Sequence, residues 1–222
     1  MGGVYEINPR KKSFFSLLSI NSILIFINVL AFIVFTTLIS QIPGFIDYVA
    51  IKPFNILAGK YTWTFLTSMF MHAGFFHIIV NMFSLFFVGN LVEKILGRKR
   101  YLLFYLASGI FAGLLFVFSA FLLPSELNTY AVGASGALFG IIGLLMVLTP
   151  NLPVYLMLIP IPVKMKYAAP GMLVVLWFIS IAGNVPIGNT AHLGGFLVGI
   201  AYGLYLRSRY KKKIQYISKY FS

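Results

Sequence analysis

The chain has three histidines, His72, His77 and His192, and each lies in or at the end of an apolar stretch. His77 and Asn81 are four residues apart, so a helix through them carries both on one face. Ser135 sits in the run Gly133-Ala134-Ser135-Gly136, and His192 is followed by Gly194, Gly195 and Gly199. A serine hydroxyl is a poor nucleophile at neutral pH until a base takes its proton, and histidine is the usual base. The same imidazole can then deliver that proton to a leaving amine. The chemistry within reach is therefore acyl transfer, with Ser135 attacking and His192 as base. His77 and Asn81 could donate hydrogen bonds to a tetrahedral oxyanion. The competing reading is that these side chains only bridge helices, as Asn and His do in membranes.

No carboxylate is placed to make a triad. The four acidic residues are Glu6, Asp47, Glu93 and Glu126, and all fall in loops or at helix ends in the layout below. A Ser–His dyad fits better. No metal is expected, since no Asp, Glu or Cys stands beside the histidines and no His-Glu-x-x-His run occurs. No cofactor is implied either. Cysteine is absent, which removes disulfides and thiol nucleophiles.

The elements that must position these residues follow from composition. Of 222 residues 60% are hydrophobic and only 9% charged, with a mean hydropathy of +0.94. A soluble domain carries about a quarter charged residues, so too little polar surface is present to face water and the bilayer is the solvent. The net charge of +13 could suggest nucleic acid. The cations instead cluster beside apolar segments, as in a topology signal, and no nucleic-acid partner is expected.

Six segments can span: about Ile20–Ile39, Phe75–Val92, Tyr101–Leu122, Ser135–Leu148, a fifth from about Tyr167 to Gly183, and Ala191–Leu206. The first is long and lacks a small-residue cleavage pattern, so it reads as a retained span, not a leader. The apolar stretch Leu152–Val163 contains Pro153, Pro160 and Pro162. It reads as an interfacial connector, because proline removes helix hydrogen bonds. Counting it as a span would give seven.

Charge decides for six. Arg10, Lys11, Lys12, Lys94, Arg98, Lys99, Arg100, Lys164, Lys166 and the six cations from Arg207 to Lys219 all fall on one side, leaving only Lys52 and Lys60 on the other. The positive-inside bias puts both termini in the cytoplasm. The layout is an all-α polytopic membrane protein forming a single domain over 1–222. It comprises a cytoplasmic segment 1–18, a six-helix core 19–206 with an interfacial loop 41–67, and a basic tail 207–222. His72, His77, Asn81, Ser135 and His192 then lie at similar depth in the outer half of the membrane. Gly195 and Gly199 form a small-residue face that lets the fourth and sixth spans approach.

At these residues the chain resembles the rhomboid family of intramembrane serine proteases. The motifs are His72-Ala-Gly-Phe-Phe-His77-Ile-Ile-Val-Asn81 with Gly89 and Val92-Glu93-Lys94 beyond, Gly133-Ala134-Ser135-Gly136, and Ala191-His192-Leu193-Gly194-Gly195 with Gly199. The likeness runs from about Phe14 to Tyr205 and implies a minimal six-helix rhomboid-like core. It implies a Ser135–His192 dyad in a water-filled cavity open to the outer side, and an oxyanion site of Asn81, His77 and the Ser135 backbone N–H. His72, Gly133, Gly136, Phe139, Gly195, Gly199 and Glu93 take supporting roles, with Glu93 anchoring the inner end of the second span. The fifth span and the cap 182–190 would be gate and lid. Substrates would be single-span membrane proteins, and membrane lipid would surround the core.

Two departures stand out. Trp63-Thr64 replaces a common Trp-Arg in the first loop, and Phe139 stands where a Tyr often packs on the base. Two other functions remain on the residues alone: an inactive rhomboid-like protein that holds membrane clients, and a small transporter or channel lined by the histidines. A multi-pass protein of a prokaryotic plasma membrane is the expected location.

Overall fold

A computed structural model describes residues 19–156, 159–185 and 187–221. The expected cytoplasmic segment 1–18, with Glu6, Arg10, Lys11 and Lys12, lies outside the described residues. The first helix, α1, covers Ile20–Gln41; Ser19 caps it, its hydroxyl accepting the Ser22 N–H at 3.0 Å. Only Asn21, Leu24 and Asn28 are buried along it, so nearly its whole surface faces the apolar solvent that its composition demands. At 1.5 Å per residue its 22 residues reach about 33 Å, enough for the hydrocarbon core.

The loop that follows folds into three short helices, α2 (Ile46–Val49), α3 (Pro53–Leu57) and α4 (Thr64–Thr67). It is pinned by backbone pairing of Ile51 with Ala131 and by Asp47, whose carboxylate accepts from Asn55 at 2.8 Å and from the Tyr130 hydroxyl at 2.9 Å. The Tyr130 phenol is pushed up to about 12, by desolvation first and then by the Asp47 hydrogen bond. It therefore remains a donor to Asp47 throughout the neutral range. Thr64 is fully buried and donates to the Tyr61 carbonyl at 2.7 Å, bracing Tyr61, which has a left-handed φ of 54°. Trp63, Phe54 and Leu57 point outward.

The second long helix, Phe75–Leu96, consists of α5 (Phe75–Ser84), a π-helical turn at Leu85–Gly89, and α6 (Asn90–Leu96). It runs past the expected end at Val92 to Gly97, whose φ of +81° makes the sharp turn into α7, Arg98–Ser119. Buried Glu93 accepts the N–H groups of Ile20 and Asn21, each at 2.8 Å. A carboxylate is thus placed on the start of α1, where helix donors lack partners and the dipole is positive. The Asn21 amide donates to the Leu85 carbonyl at 2.8 Å, and Tyr101 donates to Asn21 at 2.6 Å. A methyl group on Gly89 would stand 2.8 Å from the Tyr101 oxygen and would strike the Asn21 amide. This knot joins α1, the second long helix and α7.

Three more helices complete the core: α8 (Ser135–Leu148), α9 (Met165–Gly183) and α10 (Asn189–Arg209). Four helices, α1, Phe75–Leu96, α7 and α9, are long and apolar enough to cross a membrane. The fourteen residues of α8 reach only about 21 Å against a hydrocarbon thickness of about 30 Å. It can be short because it stands at the centre, with eleven of its residues buried. Its carboxyl end is tied to the basic side, the Lys166 N–H donating to the Pro150 carbonyl at 3.0 Å.

The proline-rich connector is neither a span nor a helix. It forms an antiparallel hairpin of β1 (Pro153–Leu156) and β2 (Ile159–Lys164), with Pro153 opposite Lys164 and an irregularity between Val154 and Leu156. Edge strands tolerate proline where helices do not, and this short hairpin is a local ornament on an all-α bundle. A last helix, α11 (Lys211–Tyr220), turns back against the bundle through buried Ile214.

The contact between α8 and α10 is made by backbone. A methyl on Gly195 would collide with the Gly136 carbonyl, and one on Gly199 with the Gly140 carbonyl. One on Gly143 would stand 2.5 Å from the Phe196 carbonyl. On the other side, Gly136 and Gly140 face Ala112 and Ser108 of α7. Gly199→Ala is accordingly expected to lower the melting temperature in detergent, by an amount equivalent to about 1–3 kcal/mol or more of overpacking. An unchanged melting temperature would rule out this close approach.

Candidate active site

Ser135 is the first residue of α8, and the turn before it explains its exposure. Gly133 has a φ of +116°, and a methyl there would lie 2.8–2.9 Å from the His77 ring. Only glycine suits this position, both for its backbone conformation and for the approach of the imidazole. The Gly133 N–H donates to the Ser68 carbonyl at 2.8 Å, and the Ala134 N–H reaches His72 Nε2 at 3.4 Å. The following N–H groups, at the start of α8, have no carbonyl four residues back to bind. The helix thus presents Ser135 with its own backbone donor beside its hydroxyl.

His192 meets it from the first turn of α10. Its Nε2 lies 2.8 Å from Ser135 Oγ. If the serine hydroxyl donates, the imidazole proton is on Nδ1, and Nδ1 is buried with no hydrogen-bond acceptor among the described residues. Among the described residues no carboxylate meets this ring. Phe139 does so instead, stacking on it with centroids 4.7 Å apart and planes 25° from parallel. Phe139 is one turn after Ser135 on the same face of α8, so one helix supplies both the hydroxyl and the aromatic face that packs on the imidazole.

His77 and Asn81 approach from α5. The Asn81 amide donates to the His77 carbonyl at 2.8 Å, which leaves its second N–H available, while its oxygen is buried without a partner. His77 Nδ1 accepts weakly from Ala73 N–H at 3.4 Å. That bond favours the tautomer with the proton on Nε2, the edge that lies against Gly133. His72 packs edge-on to His77 at 5.1 Å and is almost wholly buried. Ser135, His192, His77, His72, Gly133, Gly136 and Phe139 thus form one neighbourhood, with Asn81 one turn beyond His77. Gly195 and Gly199 act below it, at the α8–α10 contact. Glu93 does not join them, being sixteen residues, about 24 Å, further along its helix than His77.

One group near the site escaped the sequence reading. Glu126, in a 3-10 turn at Pro124–Glu126, accepts from the hydroxyls of Ser119 and of Thr190, the latter at 3.3 Å. Thr190 is two residues before His192. The carboxylate thus ties the end of α7 to the positive start of the helix that carries the base. With only four acids in the chain, Glu126 was conspicuous, but nothing local in sequence names its partners. Among the described residues no group of His, Asp, Glu or Cys is arranged to hold a metal ion.

A family model described as the Rhomboid domain matches residues 59–209. The chain is similar to RHOMBOID-like protein 1 of Arabidopsis thaliana, 38% identical over 146 residues, which cover 64% of this chain and 33% of that protein. It is similar to Rhomboid protein 1, mitochondrial, of Saccharomyces cerevisiae, 30% identical over 67% of this chain and 43% of that protein. It is also similar to the rhomboid protease GluP of Bacillus subtilis, 35% identical over 67% of this chain and 27% of that protein. The match spans less than half the length of each of these relatives.

The Glu126 contacts predict a measurable cost. Glu126→Ala leaves the Ser119 and Thr190 hydroxyls without their charged acceptor and is expected to destabilise the fold by about 1–3 kcal/mol. Thermal unfolding in detergent should show the loss, with Glu126→Gln retaining part of it.

Proposed function

Because the chain belongs to the rhomboid family, we propose that it is an intramembrane serine endopeptidase working through Ser135 and His192. The observation that carries this reading is the 2.8 Å contact between His192 Nε2 and Ser135 Oγ. In this reading it lies at the recessed end of a helix of only 14 residues. His192 Nε2 takes the hydroxyl proton as Ser135 Oγ bonds to the scissile carbonyl carbon, and the carbonyl oxygen becomes an oxyanion. The Ser135 N–H, the second Asn81 N–H and the His77 Nε2–H are the donors we assign to it. Collapse of the tetrahedral species breaks the C–N bond, and His192 gives its proton to the amine that leaves. Water, deprotonated by the same imidazole, then releases the acyl group and restores Ser135.

With no carboxylate behind it among the described residues, His192 is held by its contact with Ser135 and by the Phe139 stack, and the aromatic face also favours the imidazolium that forms. Such a dyad suits a site where the substrate is delivered slowly and held long, as within a bilayer. We infer that single-span membrane proteins are the substrates and that they reach the site past α9. In α9 every buried residue lies between Met165 and Leu173, and the outer half is exposed. Residues 19–206 act in this reading as one six-helix unit, with both chain ends cytoplasmic and the dyad opening to the outer side.

Two experiments test it. Cleavage of a reconstituted single-span substrate panel is expected from the intact chain and abolished in Ser135→Ala and in His192→Ala. Asn81→Ala should cut the rate by up to about 10². Cleavage that persists in Ser135→Ala would overturn the assignment, and folded protein that binds the panel without cutting it would favour a client-binding role. For topology, the chain has no cysteine, so single cysteines report cleanly. A cysteine at Lys60 should react with an impermeant thiol reagent in intact cells, and one at Ser218 only after the membrane is opened.

A further inference from the structure

The end of the bundle opposite the dyad carries a feature that proteolysis does not require. After the last long helix the chain turns at Tyr210 into α11, an amphipathic helix. Buried Ile214 and half-buried Ile217 and Phe221 face the bundle, while Lys211, Lys212 and Lys213 are exposed. Between α11, the end of α10 and the carboxyl end of α8 lies a groove of about 600 Å³. Its apolar wall includes Val147, Leu148 and Leu204, and its polar rim includes Arg207, Lys211 and Gln215. None of the residues lining it is acidic. The nearest described acid by sequence and topology is Glu93, and both its oxygens already hold the start of α1.

Six cations stand between Arg207 and Lys219 in thirteen residues. A helix end of this charge attracts anionic counter-charge. The apolar wall points to the source. Leu204 is 53% exposed on the lipid-facing side of α10, so the groove opens onto the acyl region below while its rim is cationic. Tyr216 and Tyr220, one turn apart and both 75% exposed, are the aromatic type enriched at the membrane interface. A ligand matching this pattern has an anionic head and a hydrocarbon tail in one molecule.

We propose that this groove is a binding site for an anionic glycerophospholipid. The phosphate is held by Arg207 and the Lys211–Lys213 turn, and one acyl chain descends along Val147 and Leu204. The site is built on α8 and α10, the two helices that carry Ser135 and His192, so occupancy braces the pair from the other end. The proposal rests on charge and shape alone and stands whether or not the chain cuts peptide bonds.

Native mass spectrometry of the delipidated full chain, titrated separately with phosphatidylglycerol and phosphatidylcholine, tests it. One phosphatidylglycerol adduct should form at least tenfold more tightly than its phosphatidylcholine counterpart. The triple variant Arg207→Gln, Lys211→Gln, Lys212→Gln should weaken that adduct on the order of a hundredfold, since each basic residue near a membrane surface contributes about a factor of five. These side chains are exposed, and an unchanged melting temperature would certify the fold. Leu204→Trp keeps every charge but fills the groove, and it should also lose the adduct. Equal binding of the two lipids, or an adduct that survives the triple variant, would overturn the proposal. So would an adduct that survives Leu204→Trp, which would indicate diffuse attraction, or one displaced by millimolar inorganic phosphate, which would indicate a site for small anions.

Discussion

The approach of two backbones, α8 and α10, is the constraint from which the site follows. In lipid there is little hydrophobic gain from joining helices, and contact must come from close packing. Here Gly136 and Gly140 on one helix meet Gly195 and Gly199 on the other so closely that no Cβ fits between them. Ser135 precedes Gly136 by one residue, and His192 precedes Gly195 by one turn. Once the glycines fix separation and register, the hydroxyl and the imidazole have little freedom left to miss each other. The 2.8 Å contact is a consequence of that register, with the Phe139 stack setting the remaining ring angle.

Depth follows from length. A fourteen-residue helix leaves about 9 Å of hydrocarbon thickness uncovered if one end stays at an interface. That missing length is where a nucleophile can sit beneath the surface yet outside a continuous helix. In the proposed reading the chain before Ser135 carries polar backbone into the membrane, which is tolerated only where protein buries or pairs it. Three positions there are answered locally: Gly133 N–H by Ser68, Ala131 by Ile51, and Ala134 N–H by His72. The ordered loop with its three short helices is therefore part of the site's support, and its Asp47–Asn55–Tyr130 bonds belong to the same structure.

How much of this could be read from residues alone depended on range. The six helices were legible because hydropathy is local, and the sides expected for them rest on the cations that mark the loops. Ser135, His192, His77 and Asn81 stood out as polar groups in an apolar solvent, and the glycines as openings for close approach. What escaped was decided by partners far away in sequence. Asn21 reads as one more polar residue at a helix start, and its bonds to Leu85 and Tyr101 depend on a π-helical turn that no periodicity announces. Thr64 reads as a lost arginine, whereas its hydroxyl braces a strained turn. The hairpin hid behind prolines that argued against helix without arguing for strand. Glu126 was seen and set aside as a loop acid, because Ser119 and Thr190 meet it only in three dimensions.

These long-range contacts divide the bundle into parts of unequal stiffness. At the basic end, Glu93, Asn21 and Tyr101 join α1, Phe75–Leu96 and α7 through buried hydrogen bonds, with Gly89 leaving them room. At the centre, α8 is enclosed by α7 and α10. Against this, α9 beyond Leu173 has only Leu176 partly packed on the core, with Val174, Phe178 and Ile181 each at least 66% exposed, and Pro170 interrupts its hydrogen bonds lower down. Opening costs least where fewest buried contacts must break. The outer half of α9 can therefore move aside without disturbing the glycine contact that sets the dyad. In the proposed reading, backbone packing on one flank keeps Ser135 and His192 in register, while the loosely held helix on the other gives a substrate its path from the lipid.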